Sequence, residues 1–283
     1  MTRRSWRSTT RLTLREAANR KVLLVGFVIS IAFLLLFWLG FSVGFDQAVD
    51  DPQEAVITDG AATAMTVLGL YAVQFLAAFM AILLASGSVA PEIESGRLHA
   101  VLARPVSRTS WLAQRTATFA GLAATYIVVM SAAILSIAKG VAGYGAIAPG
   151  KAVAFLALEV VVLVAFGTAL SVRLSAIAAG IVVVAMYGAA WIAGIMELVG
   201  GLLGNQALER IGVAVSLVIP SDALWRAASY YMQSPAYIAV TSTDDVIPFV
   251  GRTAPGLPLI LWAIAYATMW WSLADRWFRR RDL

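Results

Sequence analysis

The chain has 283 residues, of which 60% are apolar and 13% charged, with a mean hydropathy of +0.82 and a formal net charge of +5. A soluble domain is nearer half apolar and a quarter charged, so a water-soluble globular enzyme is excluded. So is disorder by the apolar content, and a β-barrel by apolar runs that are long and continuous rather than alternating.

Six apolar runs follow in chain order, at residues 22–44, 62–89, 116–138, 152–172, 174–199 and 257–275. Each matches the roughly 20 residues needed to cross a bilayer. The first run follows a basic segment, but it is longer than a signal-peptide core and lacks an A-x-A-like cleavage site, so it reads as a retained span. The charges then set the topology. The segment before the first run carries Arg3, Arg4, Arg7, Arg11, Arg15, Arg20 and Lys21 against Glu16 alone. The next loop carries Asp46, Asp50, Asp51, Glu54 and Asp59 with no base, and the loop after it carries Arg97, Arg104, Arg108 and Arg115. With Arg173 and the tail residues Arg276, Arg279, Arg280 and Arg281, 16 of the 21 bases fall on one side. The positive-inside rule places both termini in the cytoplasm, which requires an even number of spans. The expected fold is therefore an all-α integral membrane protein with six spans in a single domain. The basic charge is a topology signal, not a nucleic-acid footprint.

The long outer region, residues 200–256, contains Ile211–Ile219, which is apolar but too short to span and ends at Pro220. Ser221 is placed to cap a short helix through Trp225–Tyr231, with Asp222 in its first turn. Re-entrant or interfacial helices are expected here, against the alternative of a surface loop with an aromatic belt.

The sequence carries little reaction chemistry. It has no cysteine and one histidine, His99, so thiolate and multi-histidine metal sites are excluded. No G-x-x-x-x-G-K-[ST], H-E-x-x-H or G-x-S-x-G motif occurs. Neither a resident cofactor nor an enzymatic activity is expected of this chain. Charges within the runs are sparse. Glu159 lies about two turns from the outer end of the fourth run, and Glu197 near the outer end of the fifth. An intramembrane acid is a candidate for cation binding, proton relay or substrate contact. Its structural alternatives are an ion pair or a water-accessible position near the outer leaflet. Gln74 and Tyr71 read as helix–helix hydrogen-bonding residues, and Gly40-x-x-x-Gly44, Ala190-x-x-x-Gly194 and Gly200-x-x-x-Gly204 as close-packing positions. In the loop at residues 90–115, Leu98, Val101 and Leu102 recur at helical spacing before Pro105 stops the helix, and Ser107 or Thr109 caps the next one. Such a loop either presents a helix to a soluble partner or is an ordinary connector.

That loop carries a family resemblance. Glu92-x-Glu94-x-Gly96-Arg97-Leu98, then Leu102-x-x-Pro105-x-x-Arg108 and Arg115, resembles the cytoplasmic loop of ABC-2 type permeases, with Arg97 where Thr is commoner. Three segments agree in order and spacing. Leu12-Thr-Leu-Arg-Glu16 through Asn19-Arg20-Lys21 looks like the family's basic helix leading into the first span. Ile219-Pro-Ser-Asp-Ala-Leu-Trp-Arg226 looks like its Asn-Pro-x-Asp-x-x-Arg segment, with Ile219 in place of Asn, and Phe278-Arg-Arg-Arg-Asp-Leu283 looks like its ending. The nearest subtype is the permease of the nitrous-oxide-reductase maturation transporter.

The resemblance implies a type V exporter-like permease fold in the inner membrane of a prokaryote, with cytoplasmic lead-in and coupling helices. It implies a second permease copy or paralogue, and partner ATPase subunits that hold ATP and Mg. Glu92, Glu94, Gly96, Arg97, Leu98, Pro105 and Arg108 then become the coupling residues. Trp6, Arg15, Glu16 and Arg20 mark the lead-in helix, Pro220, Asp222 and Arg226 the outer region, and Glu159 a substrate-path or ion-pair position. The rival readings are an ion-coupled secondary transporter, a membrane scaffold and a membrane-embedded enzyme.

Overall fold

The computed structural model describes residues 21–48, 55–96, 107–235, 238, 250–251 and 253–281. Nine helices, and no strand, are found among them. They are α1 (Lys21–Ala48), α2 (Ala55–Ser86), α3 (Ala90–Glu94), α4 (Arg108–Ala142), α5 (Pro149–Arg173), α6 (Ala176–Leu203), α7 (Gln206–Val218), α8 (Ser221–Tyr231) and α9 (Leu257–Arg279). Six of these, α1, α2, α4, α5, α6 and α9, are long and apolar enough to cross a membrane. The chain is thus an all-helical protein of the kind that crosses a membrane several times.

Several helices outrun their apolar runs, because caps and turns end a helix rather than hydropathy. Ser107 accepts a hydrogen bond from the Ser110 N–H and starts α4 eight residues before the third run. At 35 residues α4 is about 52 Å long, well beyond the roughly 30 Å of a hydrocarbon core. Its first turns therefore extend past the apolar layer. Ser175 caps α6 by accepting from the Ala178 N–H, and Gly204, with φ of 63°, ends it in the left-handed region.

Helix α5 is the centre of the bundle. It packs against α2, α3, α4, α6, α8 and α9. Of its most apolar stretch 67% is buried, against 11% for α1, which leans mainly on α2 and α4 among the described residues. The packing is close because small residues let backbones approach. A Cβ at Gly167 of α5 would stand 2.7 Å from the Ala85 Cβ of α2, and one at Gly69 of α2 would collide with the Phe37 ring, so glycine is the residue that fits at both places. The outward faces of α1, α6 and α9 carry exposed Leu24, Phe27, Leu36, Ile177, Ile181, Leu257 and Leu261. Surface this apolar needs lipid or protein against it.

The two ends of the bundle differ. Phe41 near the end of α1 packs with Ala62, Ala138 and Tyr144, so α1 runs antiparallel to α2 and parallel to α4. Lys21 and Arg281 therefore lie at the same end. There Arg108 donates to the carbonyls of Arg279 (3.3 Å) and Arg281 (2.9 Å), Arg281 donates to the Val172 carbonyl, and Arg173 sits 4.9 Å over the Trp277 ring. Cationic side chains on the last carbonyls of α5 and α9 also oppose the negative ends of both helix dipoles. The opposite end carries Asp59, Glu197, Glu209 and Asp222 beside Lys139, Lys151, Arg210 and Arg226.

Before α9, α7 and α8 meet at an angle of 100°. Asn205 caps α7 by accepting from the N–H groups of Ala207 (3.0 Å) and Leu208 (3.4 Å). The helix then packs along α6, where Gly212 lies directly against the Ala193 carbonyl and Glu197. Ser221 is not the cap of α8, as its sequence suggests, but its first residue. Pro220 occupies the cap without a side-chain bond, and its carbonyl accepts from the Leu224 N–H at 3.0 Å. The extended residue between α7 and α8 is Ile219, and Pro220, with ψ of 11°, already turns into the helix, so Ser221 enters as a helical residue.

Candidate functional site

Two polar constellations stand out, one at the arginine-rich end of the central helix α5 and one near its middle. At the arginine-rich end, α2 breaks after Ser86 and the short helix α3 follows it from Ala90. Ser171 of α5 bridges that break. Its Oγ accepts from the N–H groups of Val89 and Ala90, each at 3.0 Å, and donates to the Ser86 carbonyl at 2.8 Å. A broken helix leaves such backbone groups without intrahelical partners, and Ser171 supplies them where no water reaches. Arg115 of α4 donates to Glu92 of α3 at 3.2 Å, with both side chains almost wholly buried. The Arg115 guanidinium also lies 5.2 Å from the Trp111 ring and 5.6 Å from the Phe119 ring. Trp111 in turn stacks on Phe278 of α9, at 5.5 Å.

These contacts change the standing of several coupling residues inferred from the loop motif. Glu92 is not presented outward; it is consumed by Arg115 inside the chain. Arg108 ties the start of α4 to the end of α9. Glu94 and Gly96 are exposed, and Gly96 has φ of 67°, a left-handed turn that redirects the chain after α3 and that glycine adopts without strain. Arg97, Leu98 and Pro105, the loop helix inferred before Pro105, and Trp6, Arg15, Glu16 and Arg20 of the lead-in segment all lie outside the described residues.

The second constellation surrounds Glu159. Helix α5 starts three residues before the apolar run, so Glu159 is nearer mid-helix than the run suggests. It stands about 15 Å from Pro149 and about 21 Å from Arg173 at 1.5 Å per residue. It is fully buried, which excludes the water-accessible position weighed from sequence. Nor is it in an ion pair with any described residue. Its Oε1 accepts from Gln74 Nε2 of α2 at 2.7 Å, a helix–helix hydrogen bond of the kind expected for Gln74. Glu159 Oε2 and Gln74 Oε1 have no hydrogen-bond partner among the described residues.

Gln74 faces a slot walled by aromatic rings from three helices: Tyr71 and Phe75 of α2, Tyr187 and Trp191 of α6, and Trp225 of α8. Tyr71 lies 4.8 Å from Trp225 and 5.0 Å from Phe75, Phe75 lies 5.6 Å from Tyr187, and Trp191 donates its indole N–H to the Tyr71 hydroxyl. Asp222 closes the slot and also lines a cleft of about 490 Å³ with Glu197, Glu209 and Arg226. Within that cleft Arg226 bridges Glu197 (2.6 Å) and Asp222 (3.0 Å). Pro220, Asp222 and Arg226 thus belong to one local structure, in which Pro220 sets the turn and the other two set the charge.

Asp222 reaches this position because α6 has a glycine opposite it. A Cβ at Gly194 would collide with the Asp222 carboxylate. Of the small-residue patterns, Ala190-x-x-x-Gly194 therefore works as a close approach. Gly200 also packs tightly, against α7, whereas Gly204 serves the helix end and a Cβ at Gly40 would meet nothing. Gly194→Val is expected to expel Asp222, open the Arg226 bridge and lower stability by about 1–3 kcal/mol, read as an earlier thermal unfolding midpoint in detergent. An unchanged midpoint would mean that the two helices are not held in this contact.

Sequence reasoning found Glu159 and Gln74 but not the rings that converge on them, nor Ser171. The one available signal, Gly167-x-x-x-Ser171, is a small-residue pattern among many in a chain rich in alanine and glycine. No cluster of three metal-ligating side chains occurs among the described residues. Compared with known proteins, the chain matches no family model, and no curated protein matches it.

Proposed function

We propose that the chain is the permease subunit of an ABC-2 type transporter, forming an export path across the inner membrane of a prokaryote and driven by ATP hydrolysed in partner subunits. The observation that carries this reading is the loop after α2. Its Glu92-x-Glu94-x-Gly96-Arg97-Leu98 sequence resembles the family's coupling loop. Its start is tied into the bundle by the buried Glu92–Arg115 pair and the Ser171 bridge, while Glu94 and Gly96 stay exposed. A force applied to Glu94 by a soluble partner is thereby delivered to α4 and α5. The arginine-rich end of the bundle faces the cytoplasm in this reading, as the positive-inside rule requires. The exposed apolar faces of α1, α6 and α9 meet lipid and a second permease copy or paralogue. The α7–α8 pair forms the re-entrant or interfacial structure before the sixth span.

The test is co-purification from native membranes in mild detergent, with identification of the proteins that accompany the chain. A stoichiometric P-loop ATPase is the expected result. Replacing Glu94 and Arg97 together is expected to uncouple ATP turnover from transport while membrane insertion is retained. Full transport in that variant would overturn the docking assignment.

A second reading, an ion-coupled secondary transporter, draws on one specific observation. Glu159 is a buried acid near mid-helix, where such transporters place their coupling group. Transport that needs an ion gradient and no ATP would select it.

A further inference from the structure

We propose that the slot beside Gln74 and Glu159 binds a primary ammonium group, and that the cleft beyond Asp222 holds the rest of the molecule. This deepens the permease reading by naming a substrate class, an amine-bearing amphiphile, and as a transport claim it rests on that reading.

The argument starts from what the buried polar atoms lack. Glu159 Oε2 and Gln74 Oε1 are both acceptors, both buried, and both without a partner among the described residues. Gln74 lines the slot and Glu159 stands behind it, so a group in the slot must donate to Gln74 Oε1, since an acceptor left unmet at this depth is costly. It is also favoured to be a cation, because a carboxyl group stands directly behind Gln74 and no Lys or Arg lines the slot. The walls agree. Tyr71, Phe75, Tyr187, Trp191 and Trp225 surround the space, and ring faces attract a desolvated cation.

Size then chooses among cations. The slot measures about 10 Å³, the room of a single water-sized group, which suits an –NH₃⁺ head and excludes a trimethylammonium head. The neighbouring cleft of about 490 Å³ is within the range of small-molecule sites, and Asp222 lines both spaces. An amine entering from the cleft passes Asp222 first. Its head reaches Gln74, with the Glu159 carboxyl group behind it, and its body stays against Leu198, Val250 and Leu259.

The experiment uses the full chain in lipid nanodiscs and three probes of one skeleton: phenethylammonium, phenethyltrimethylammonium and the neutral 2-phenylethanol. Saturation-transfer NMR reads binding to the wild type, to Glu159→Gln and to Gln74→Met. Phenethylammonium is expected to bind saturably, and each of the other probes to bind more weakly by about tenfold, the weight of a charge-assisted hydrogen bond. Each substitution is expected to cost phenethylammonium a similar factor and to cost the neutral alcohol distinctly less.

Equal binding of the three probes to the wild type would overturn the proposal, and that comparison stands even if a variant fails to fold. Undiminished ammonium binding in well-folded Glu159→Gln and Gln74→Met proteins would overturn it as well. The permease reading fails separately. A chain that discriminates the probes but never carries an ATPase keeps the amine site and loses the ABC assignment. One that carries an ATPase but discriminates nothing does the reverse.

Discussion

Arg115→Met is expected to destabilise the folded bundle by about 3 kcal/mol, because it removes the guanidinium that donates to the buried Glu92 carboxylate. The loss of the guanidinium from between Trp111 and Phe119 adds to this. The double variant Glu92→Gln/Arg115→Met is expected to recover much of that loss. Removing both charges removes the desolvation cost of both, so a neutral pair of similar volume is tolerated better than either charge alone. Thermal unfolding of the wild type, both single variants and the double variant in one detergent measures the coupling as a double-mutant cycle. Additive effects would mean that the two side chains do not act as a pair. The functional consequence reaches further than stability. If the loop after α2 receives the stroke of a partner ATPase, the double variant is a stable protein whose loop is no longer fastened to α4. ATP turnover and transport then part company in it although Glu94 and Arg97 are untouched.

Gly167→Leu is the second large effect, expected to cost about 3 kcal/mol or more. Even a single methyl at Gly167 meets the Ala85 Cβ at 2.7 Å. Gly167→Ala gains up to about 1 kcal/mol of helix propensity, which offsets part of an overpacking cost of about 1–3 kcal/mol, so it stays destabilising by about 1–2 kcal/mol. Leucine has no room in any direction. It must push α2 from α5, the two helices that also share the Gln74–Glu159 hydrogen bond and the Ser171 bridge. Ala85→Gly is expected to rescue Gly167→Ala fully and Gly167→Leu only in part. Unfolding midpoints of the four proteins check this, and an Ala85→Gly background that rescues neither would place the strain elsewhere.

The six long helices were legible because crossing a bilayer leaves a length of continuous hydropathy that no other constraint imitates. Their ends were not. Helix α4 begins at Arg108 through polar residues that hydropathy discounts but that Ser107 caps well. Helix α2 begins at Ala55, seven residues before its apolar run. Glu159 was legible as an anomaly, since a charge inside an apolar run is rare enough to notice. Its surroundings were not legible, because the rings of the slot come from α2, α6 and α8, and nothing local in Trp225 or Tyr187 marks them as neighbours. Glu92 shows the limit in the other direction. The loop pattern marks it as a coupling residue, and the pattern does not show that it also pairs with Arg115, 23 positions away. Motif position records where a residue stands in the chain, and burial decides what it faces.

The central place of α5 bears on how the protein is made. Spans reach the bilayer in the order of synthesis, so α1, α2 and α4 are in the membrane before α5 leaves the ribosome. Until then Gln74 has no Glu159 to bond, and the broken end of α2 has no Ser171 to satisfy it. In a half-made chain these groups wait for partners not yet synthesised, and α5 supplies both at once.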